Sequence, residues 1–483
     1  MPLFFENPSP RSEPIQSICC IGAGYVGGPT CAVLAWKCPN ICVTIVDISQ
    51  ERIDAWNSDE LPIFEPGLEE IVKSRRGKNL FFSTDIDAAI IAADLVFVSV
   101  NTPTKTRGVG AGYAADLQYV EAATRRIALL STKSKIIVEK STVPCRTAES
   151  MRAILDATSP RPGVHFDILS NPEFLAEGTA VQDLLKPDRI LIGALNTKSG
   201  KLAQDRLANV YATWVERSAI ITTGLWSSEL TKLAANALLA QRISSISSLA
   251  AICEKTGAEI DEVARGCGKD SRLGPHFLKA GLGFGGSCFQ KDIFNLIYLA
   301  ETFSLQPVAD YWRQVLVMNE WTKASFSRTI IRHMFSTVSN KKIALLGFAF
   351  KKDTGDTRES PAISIARDLL VEGAEVYIYD PKVSERNMRQ CLGAFSNFHF
   401  SSSVEAAALN ASAVVVATDW DEFKPSSSSG KTAAAIDWTS IYANMNRPAF
   451  VFDGRGILDT AALQNIGFKV HTVGRGNLVD TLS

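Results

Sequence analysis

From about Ser17 the chain alternates short apolar runs with amphipathic stretches. SICCI, ICVTIVD, DLVFVSV, KIIVEKS, DILSN and RILIGA have the length and branched-residue content of buried strands. Strands separated by helical sequence predict parallel βαβ units wound on both faces of one sheet. Residues 1–225 are read as this first domain. The rhythm then changes. Ser227–Lys255 has helical periodicity and no proline, and helical sequence continues through Asn295–Ala300 and Tyr311–Phe335, so residues 226–335 are read as an α-helical middle domain. A helical segment between two α/β units often packs against a copy of itself, which makes it a candidate dimer interface. At Lys341 the strand–helix rhythm restarts with KKIALLGFAF, EVYIYD, AVVVATDW and FVFDGRG. Residues 336–483 are read as a second, smaller doubly wound domain.

A length of 483 residues agrees with several domains rather than one core. A formal net charge of -1 leaves no basic surplus for nucleic acid or anionic lipid, so any phosphate must be held by local groups. The N-terminal MPLFFENPSPRSEP is broken by prolines and lacks the apolar run of a secretory signal, and no stretch is long enough to span a membrane. The expected compartment is the cytosol. Ten cysteines are scattered without CxxC or zinc-type spacing, which favours reduced thiols and no metal site.

Gly22-Ala23-Gly24-Tyr25-Val26-Gly27 follows the strand SICCI, opens a helix to about Cys38, and leads to a strand ending in Asp47, 20 residues after Gly27. This is the dinucleotide fingerprint in its required setting. Gly22 serves the tight turn, Gly24 admits the pyrophosphate, Gly27 lets helix and strand pack closely, and the helix N-terminus faces the phosphates. Asp47 would accept from the adenosine ribose and repel a 2′-phosphate, which selects NAD over NADP; Arg52 nearby weakens that selection. Both α/β domains are therefore read as Rossmann-like: two doubly wound parallel-sheet domains joined by a central α-helical domain. Asn101-Thr102-Pro103-Thr104 and Ser141-Thr142-Val143-Pro144 fall at strand C-terminal ends, where ligands sit in such sheets. The loop PSSSSGKT imitates the end of a P-loop at Gly430-Lys431-Thr432, but Pro425 occupies the place of its first glycine and no strand precedes it. A triphosphate site there is rejected.

A second chemical signal is Gly281-Leu-Gly-Phe-Gly-Gly-Ser-Cys288-Phe-Gln-Lys-Asp292. It sets a cysteine after four glycines at the start of a helix, whose positive end favours the thiolate. Asp292 lies four residues on, hence on the same face, placed to orient a water beside the sulfur. A carboxylate that close disfavours the thiolate, so a cation is required. Lys232, one turn from Asn236 in an otherwise apolar helix, is the candidate. The bland readings are an inert cysteine and a snorkelling lysine. A dinucleotide fold together with a helix-start cysteine points instead to oxidation through a thiohemiacetal and thioester.

With these residues in view, the chain resembles the UDP-glucose dehydrogenases of the UDP-glucose/GDP-mannose dehydrogenase family, animal and fungal type. The resemblance rests on GAGYVGGPT, NSDELPIFEPGL, NTPTK, EKSTVP, NPEFLAEGTA, SSELTKLAANALLAQRISS, DSRLGPHFLKAGLGFGGSCFQKD, GFAFKKDTGDTRESPA and FDGRGILD. It implies four-electron oxidation of UDP-glucose to UDP-glucuronate by two successive hydride transfers to NAD. It implies Cys288 as nucleophile, with Lys232, Asn236, Asp292 and an ordered water handling protons and the oxyanion, and Thr142 and Glu173 positioning that water or acting as base. For substrate it implies Glu173, Phe174, Leu175, Ala176 and Glu177, with Lys232, Asn236, Lys279, Phe284, Gly285, Phe350, Lys351 and Arg455. Arg272 is implied to reach a neighbouring subunit's substrate. Glu177, Lys291 and Arg358 join Tyr25, Val26 and the fingerprint on the cofactor side. A hexamer built from dimers is also implied. The chain departs from animal relatives at Gly456, where many carry a second arginine, and at Gly110-Ala-Gly-Tyr113, which replaces a more basic stretch; subunit contacts and feedback regulation are where these would tell. The competing readings are the same chemistry on UDP-N-acetylmannosamine or GDP-mannose, and a non-catalytic nucleotide-binding protein.

Overall fold

A computed structural model describes residues 14–425 and 436–476. The proline-broken N-terminus up to residue 13 and the serine-rich imitation of a P-loop at 426–435 lie outside the described residues. The chain divides into two compact units, Met1–Ala235 and Asn236–Ser483.

The first unit is built on eight strands: β1 Ser17–Ile21, β2 Cys42–Val46, β3 Leu80–Ser83, β4 Leu95–Val98, β5 Lys135–Glu139, β6 Phe166–Ser170, β7 Ile190–Ala194 and β8 Ile220–Gly224. Their order is β3-β2-β1-β4-β5-β6-β7-β8. Position follows composition. The uninterrupted apolar run of β4 and the strand KIIVE of β5 are buried at every residue and lie centrally, whereas β8, mostly exposed, forms an edge. Apolar side chains above and below the sheet make two cores, with Trp56, Phe97 and Tyr211 among the largest buried groups.

All neighbours pair in parallel except β6 and β7, which are antiparallel through Leu169↔Ala194 and Ser170↔Gly193. This departs from the all-parallel sheet expected from the sequence. A parallel neighbour needs a crossover back to the start of the sheet, while an antiparallel neighbour begins where the previous strand ended. Residues 171–189 therefore stay at the carboxyl end of β6, with only the short helix Ala180–Leu185. Glu65, in the segment NSDELPIFEPGL, holds them there by accepting from Gly178 N (2.6 Å) and Ala180 N (3.0 Å).

The helix Leu225–Thr256 runs across the boundary between the units, and the second unit continues with helices Ile260–Gly268, Phe289–Thr302 and Gln306–His333. Its sheet comprises β9 Lys342–Leu346, β10 Glu375–Tyr379, β11 Phe398–Phe400, β12 Ala413–Val416, β13 Phe450–Asp453 and β14 Lys469–Thr472. The order is β11-β10-β9-β12-β13-β14, parallel throughout. One core fills it, and Phe326 and Ile330 from the Gln306–His333 helix, with Met334 just after it, belong to that core.

Candidate functional site

In the first sheet the strand order reverses between β1 and β4, the place where ligands enter such folds. The turn after β1 is tight: Gly22 has φ +111°, and a Cβ there would stand 2.2 Å from Ser99 O. Gly24 meets nothing within 4 Å. The helix Gly27–Lys37 that follows has no side-chain cap at Val26. Tyr25 Oη and Ser99 Oγ are buried with no hydrogen-bond partner among the described residues. An uncapped helix start, an open face at Gly24 and two orphaned hydroxyls suit a dinucleotide's phosphates. Beneath the turn, Trp56 donates from Nε1 to Ala23 O (3.0 Å) and stacks on Phe82 at 5.0 Å.

Asp47 accepts from Ala23 N (2.9 Å) and Ser49 N (3.0 Å), and Arg52 Nη1 lies 3.1 Å from its Oδ2. Arg52 is thus engaged with the acid rather than offered to a 2′-phosphate. At the ends of β4 and β5, Thr102 Oγ1 donates to Thr142 O (2.8 Å) and Ser141 Oγ to Val100 O (2.6 Å). These bonds tie the two segments together; Asn101 and Pro103 are exposed and Thr104 bridges Ala115.

A charged network that the sequence did not reveal lies beside them. Lys140 is buried, and its Nζ contacts Glu173 Oε2 (2.9 Å) and Asn171 Oδ1 (3.2 Å). Tyr211 donates to the same Asn171 oxygen (2.7 Å), and Asn171 Nδ2 donates to Leu191 O (2.8 Å). Burial alone would push the Glu173 carboxyl up, but the Lys140 ammonium and the N–H groups of Phe174 and Leu175 outweigh it and hold it below the ordinary range. Burial likewise opposes the charge on Lys140, and Glu173 and Tyr211 reverse that and raise it. The signal available in the sequence was Glu139-Lys140: two charges following the apolar run at residues 136–138 of a central strand. Next to Glu173, the Phe174 ring is flanked by Arg189 Cζ at 4.0 Å and Lys232 Nζ at 5.1 Å. Leu175 packs on the core, Ala176 N donates to Asp183 (2.9 Å), and Glu177 is half-buried.

The other member of that pair, Glu139, is fully buried, and burial followed by the nearby Glu229 carboxylate pushes its carboxyl well above the ordinary range. Glu229, also raised by burial, accepts from Arg146 N (2.6 Å) and Ala148 N (2.8 Å) at the start of the helix Thr147–Thr158.

In the second unit Cys288 occupies the N-cap position of the helix Phe289–Thr302, and its thiol is exposed. Asp292, one turn on, is buried to 1 % exposure; its Oδ2 accepts from Asn236 Nδ2 at 2.6 Å, and Lys291 Nζ lies 3.3 Å from its Oδ1. The cation observed beside this carboxylate is therefore Lys291, which the family pattern assigned to the cofactor. Lys232 lies four residues before Asn236 on the helix Leu225–Thr256.

The glycine loop before Cys288 is clamped. Gly283 has φ +93°, and a Cβ there would stand 2.4 Å from Asn319 Oδ1. That oxygen accepts from Phe284 N (2.8 Å) while Asn319 Nδ2 donates to Phe284 O (3.1 Å). Gly286 N donates to Arg358 O (2.8 Å), and a Cβ at Gly285 would stand 2.6 Å from Glu359 O. Asn319 is a further residue the sequence reading missed; an asparagine amid a long amphipathic helix was its only mark.

In the second sheet the order reverses between β9 and β12. The part-buried Arg455, after β13, donates from Nε to Ala417 O (2.7 Å) and from Nη2 to Phe350 O (3.2 Å). Burial pulls its guanidinium down, with Asp419 and Asp453 opposing. A part-buried, tethered arginine at a switch point suits a diphosphate or carboxylate. Lys351 Nζ lies over the Phe350 ring at 5.6 Å. Asp380, following β10 as Asp47 follows β2, accepts from Phe348 N, Ala349 N, Trp420 Nε1, Lys382 N and Val383 N, so its oxygens are spent on the fold. Arg272 and Arg358 pair with Asp270 and Asp356, each at 2.6 Å, and Lys279 is exposed. Gly456, at φ +59°, follows Arg455 in a turn.

Three family models match along the chain: the NAD binding domain of the UDP-glucose/GDP-mannose dehydrogenase family over residues 16–215, its central domain over 226–321 and its UDP binding domain over 344–460. The chain is 57% identical over 470 residues to UDP-glucose 6-dehydrogenase of Drosophila melanogaster, covering 95% of this chain and 96% of that protein. It is 54% identical over 476 residues to UDP-glucose 6-dehydrogenase 3 of Oryza sativa subsp. japonica, covering 95% and 97%. A solved UDP-glucose dehydrogenase from the hyperthermophilic archaeon Pyrobaculum islandicum superposes with a TM-score of 0.80 at 30% identity, covering 97% of this chain and all of that one.

Proposed function

The chain belongs to the UDP-glucose/GDP-mannose dehydrogenase family, and from that premise we propose how its residues carry the reaction. The activity is NAD-dependent oxidation of UDP-glucose at C6 to UDP-glucuronate. Four electrons leave as two hydrides and one water is consumed. Bound NAD supplies the hydride acceptor, once for each oxidation, and the turn at Gly22–Gly27 with Tyr25, Ser99 and Asp47 would hold it.

The Cys288 thiolate adds to the C6 aldehyde, and the resulting thiohemiacetal is oxidised to a thioester that water cleaves. Lys232 and Asn236, on one helix face, donate to the C6 oxygen as negative charge grows there. Asp292, its carboxylate held by Asn236, takes the proton of the hydrolytic water. Glu173, kept ionised by Lys140, is a weak base; its part is to orient water, with Thr142, rather than to abstract a proton. Arg455, Lys351 and Lys279, with the Phe284–Gly285 backbone, would bind the UDP-sugar, and Lys291 and Arg358 the cofactor. Arg272 would reach a neighbouring subunit.

The observation that carries this reading is Cys288 at a helix start with Asp292 one turn on, tied to Asn236 at 2.6 Å. The three-part division at residues 225 and 335 is supported by the three matched segments. Exposed apolar residues on the helical segment, Ile252, Tyr311, Val317 and Trp321, favour a dimer through it, assembled further into a hexamer. Ten unpaired cysteines favour the cytosol; among the described residues no helix is long and apolar enough to cross a membrane.

The test is a stoichiometry with limiting UDP-glucose and excess NAD. Two NADH per sugar are expected, and Cys288→Ser should bind both ligands yet form no UDP-glucuronate. One NADH per sugar, or faster turnover of UDP-N-acetylmannosamine or GDP-mannose in a panel, would overturn the assignment.

A further inference from the structure

Asn295 sits on the helix Phe289–Thr302 with 1 % of its surface exposed, and neither its Oδ1 nor its Nδ2 has a hydrogen-bond partner among the described residues. Ile293 and Ile297, two residues to either side of it on the same helix, are both fully buried. An amide in such surroundings has up to four hydrogen-bonding positions to satisfy, and each unmet group costs stability that leucine, of similar size, would not lose. A buried amide without a protein partner is therefore a marker for a bound polar ligand, most simply water.

The position of Asn295 says what that water serves. Cys288, Asp292 and Asn295 are spaced i, i+4 and i+7, so they form one stripe along the helix. The middle member is also incompletely satisfied. Asp292 Oδ2 accepts from Asn236, while Oδ1 is buried and accepts no hydrogen bond among the described residues, the Lys291 ammonium lying 3.3 Å from it. Two orphaned polar groups one helical turn apart on one face can be met together by a single water donating to Asp292 Oδ1 and bonded to the Asn295 amide. A rise of 1.5 Å per residue puts Asn295 about 10 Å along the axis from Cys288, too far to touch the thioester. It acts through Asp292.

We propose that Asn295 is a positioning residue for thioester hydrolysis: through a bound water it fixes the second oxygen of Asp292, so that both carboxylate oxygens are held while Asp292 takes the proton of the attacking water. The proposal rests on the Cys288 thioester reading above.

The test uses the full-length enzyme. Asn295→Leu is expected to fold with a thermal midpoint equal to or above the wild type. It should keep the KM for both substrates, lower kcat about 10-fold or more, and accumulate a UDP-sugar acyl adduct on Cys288 seen by intact-protein mass spectrometry, with an NADH burst. Asn295→Ser, which keeps a group able to hold the water, should restore most of kcat and remove the adduct. Asp292→Asn serves as reference and should trap the same adduct. Adduct in Asp292→Asn but none in Asn295→Leu would overturn the role of Asn295 and leave the thioester standing. Wild-type turnover by Asn295→Leu would overturn it as well, and so would a lowered midpoint with kcat lost in Asn295→Ser. Continued acid formation by Cys288→Ser would remove the thioester reading itself, and the proposal with it.

Discussion

Replacing Lys140 by methionine keeps roughly the length and volume of the side chain and deletes the ammonium that faces Glu173 at 2.9 Å. Removing one partner of a buried pair costs about 3–5 kcal/mol because the other charge stays behind uncompensated. Glu173 retains the backbone N–H groups of Phe174 (2.7 Å) and Leu175 (3.0 Å), which places the expected loss near the lower end, about 3 kcal/mol. For a domain of this size that corresponds to a fall of roughly 6–12 °C in the midpoint of the first unit, measured by calorimetry. In the wild type Glu173 lies below its ordinary range, so its contribution is present above about pH 4.5 and is lost on acidification through its lowered value. Lys140 lies above its ordinary range, so its contribution persists up to about pH 10.5 and is lost above it. The gap between wild type and Lys140→Met should therefore be full at pH 8 and smaller at pH 5, where the orphaned carboxyl can take up a proton. Adding Glu173→Gln should recover more than half of the loss. A midpoint shift under 2 °C, a gap independent of pH, or a double variant no better than the single one would refute the reasoning.

Glu139 presents the opposite sign. Its carboxyl is raised, so the stability it contributes is complete below about pH 4.5 and is lost as pH rises; Glu139→Gln should leave the fold intact and become progressively more stable than the wild type between pH 5 and 9, and parallel midpoint–pH curves would contradict this. Two glycines of one motif should separate binding from folding. Gly24→Ala, with nothing within 4 Å, should hold its stability within about 1 kcal/mol while raising the KM for NAD at least 10-fold, whereas Gly22→Ala, 2.2 Å from Ser99 O at φ +111°, should lose several kcal/mol. Equal stability of the two variants would show that the turn is not the constraint.

Much of this was legible because local pattern and chemistry coincide. The fingerprint turn, the strand before it, the Asp47 spacing and the Cys288–Asp292 interval are all short-range features. What stayed hidden was non-local or weakly apolar. β3, β8, β11 and β14 were missed because all four are edge strands of three to five residues, too short for a clear periodic signal. The reversal at β7 was invisible because DILSN and RILIGA read alike in either direction. Lys140 meets Glu173 across 33 residues and Asn319 meets Phe284 across 35, distances at which spacing carries no information. Substrate and residue roles came from resemblance, since composition cannot tell one nucleotide sugar from another.

The seam between β6 and β7 has a consequence for how such a chain can change over generations. Only two residue pairs join those strands, and Asn171 supplies what the ladder lacks, bonding Leu191 on one side and Tyr211 and Lys140 on the other. Lys140 is at the same time the counter-ion of Glu173. Holding the sheet together and setting the charge of the Glu173 carboxyl are thus performed by one set of atoms. Neither can be relaxed without disturbing the other, so substitutions at 140, 171, 173 and 211 are coupled, and a first step at any of them passes through a less stable protein.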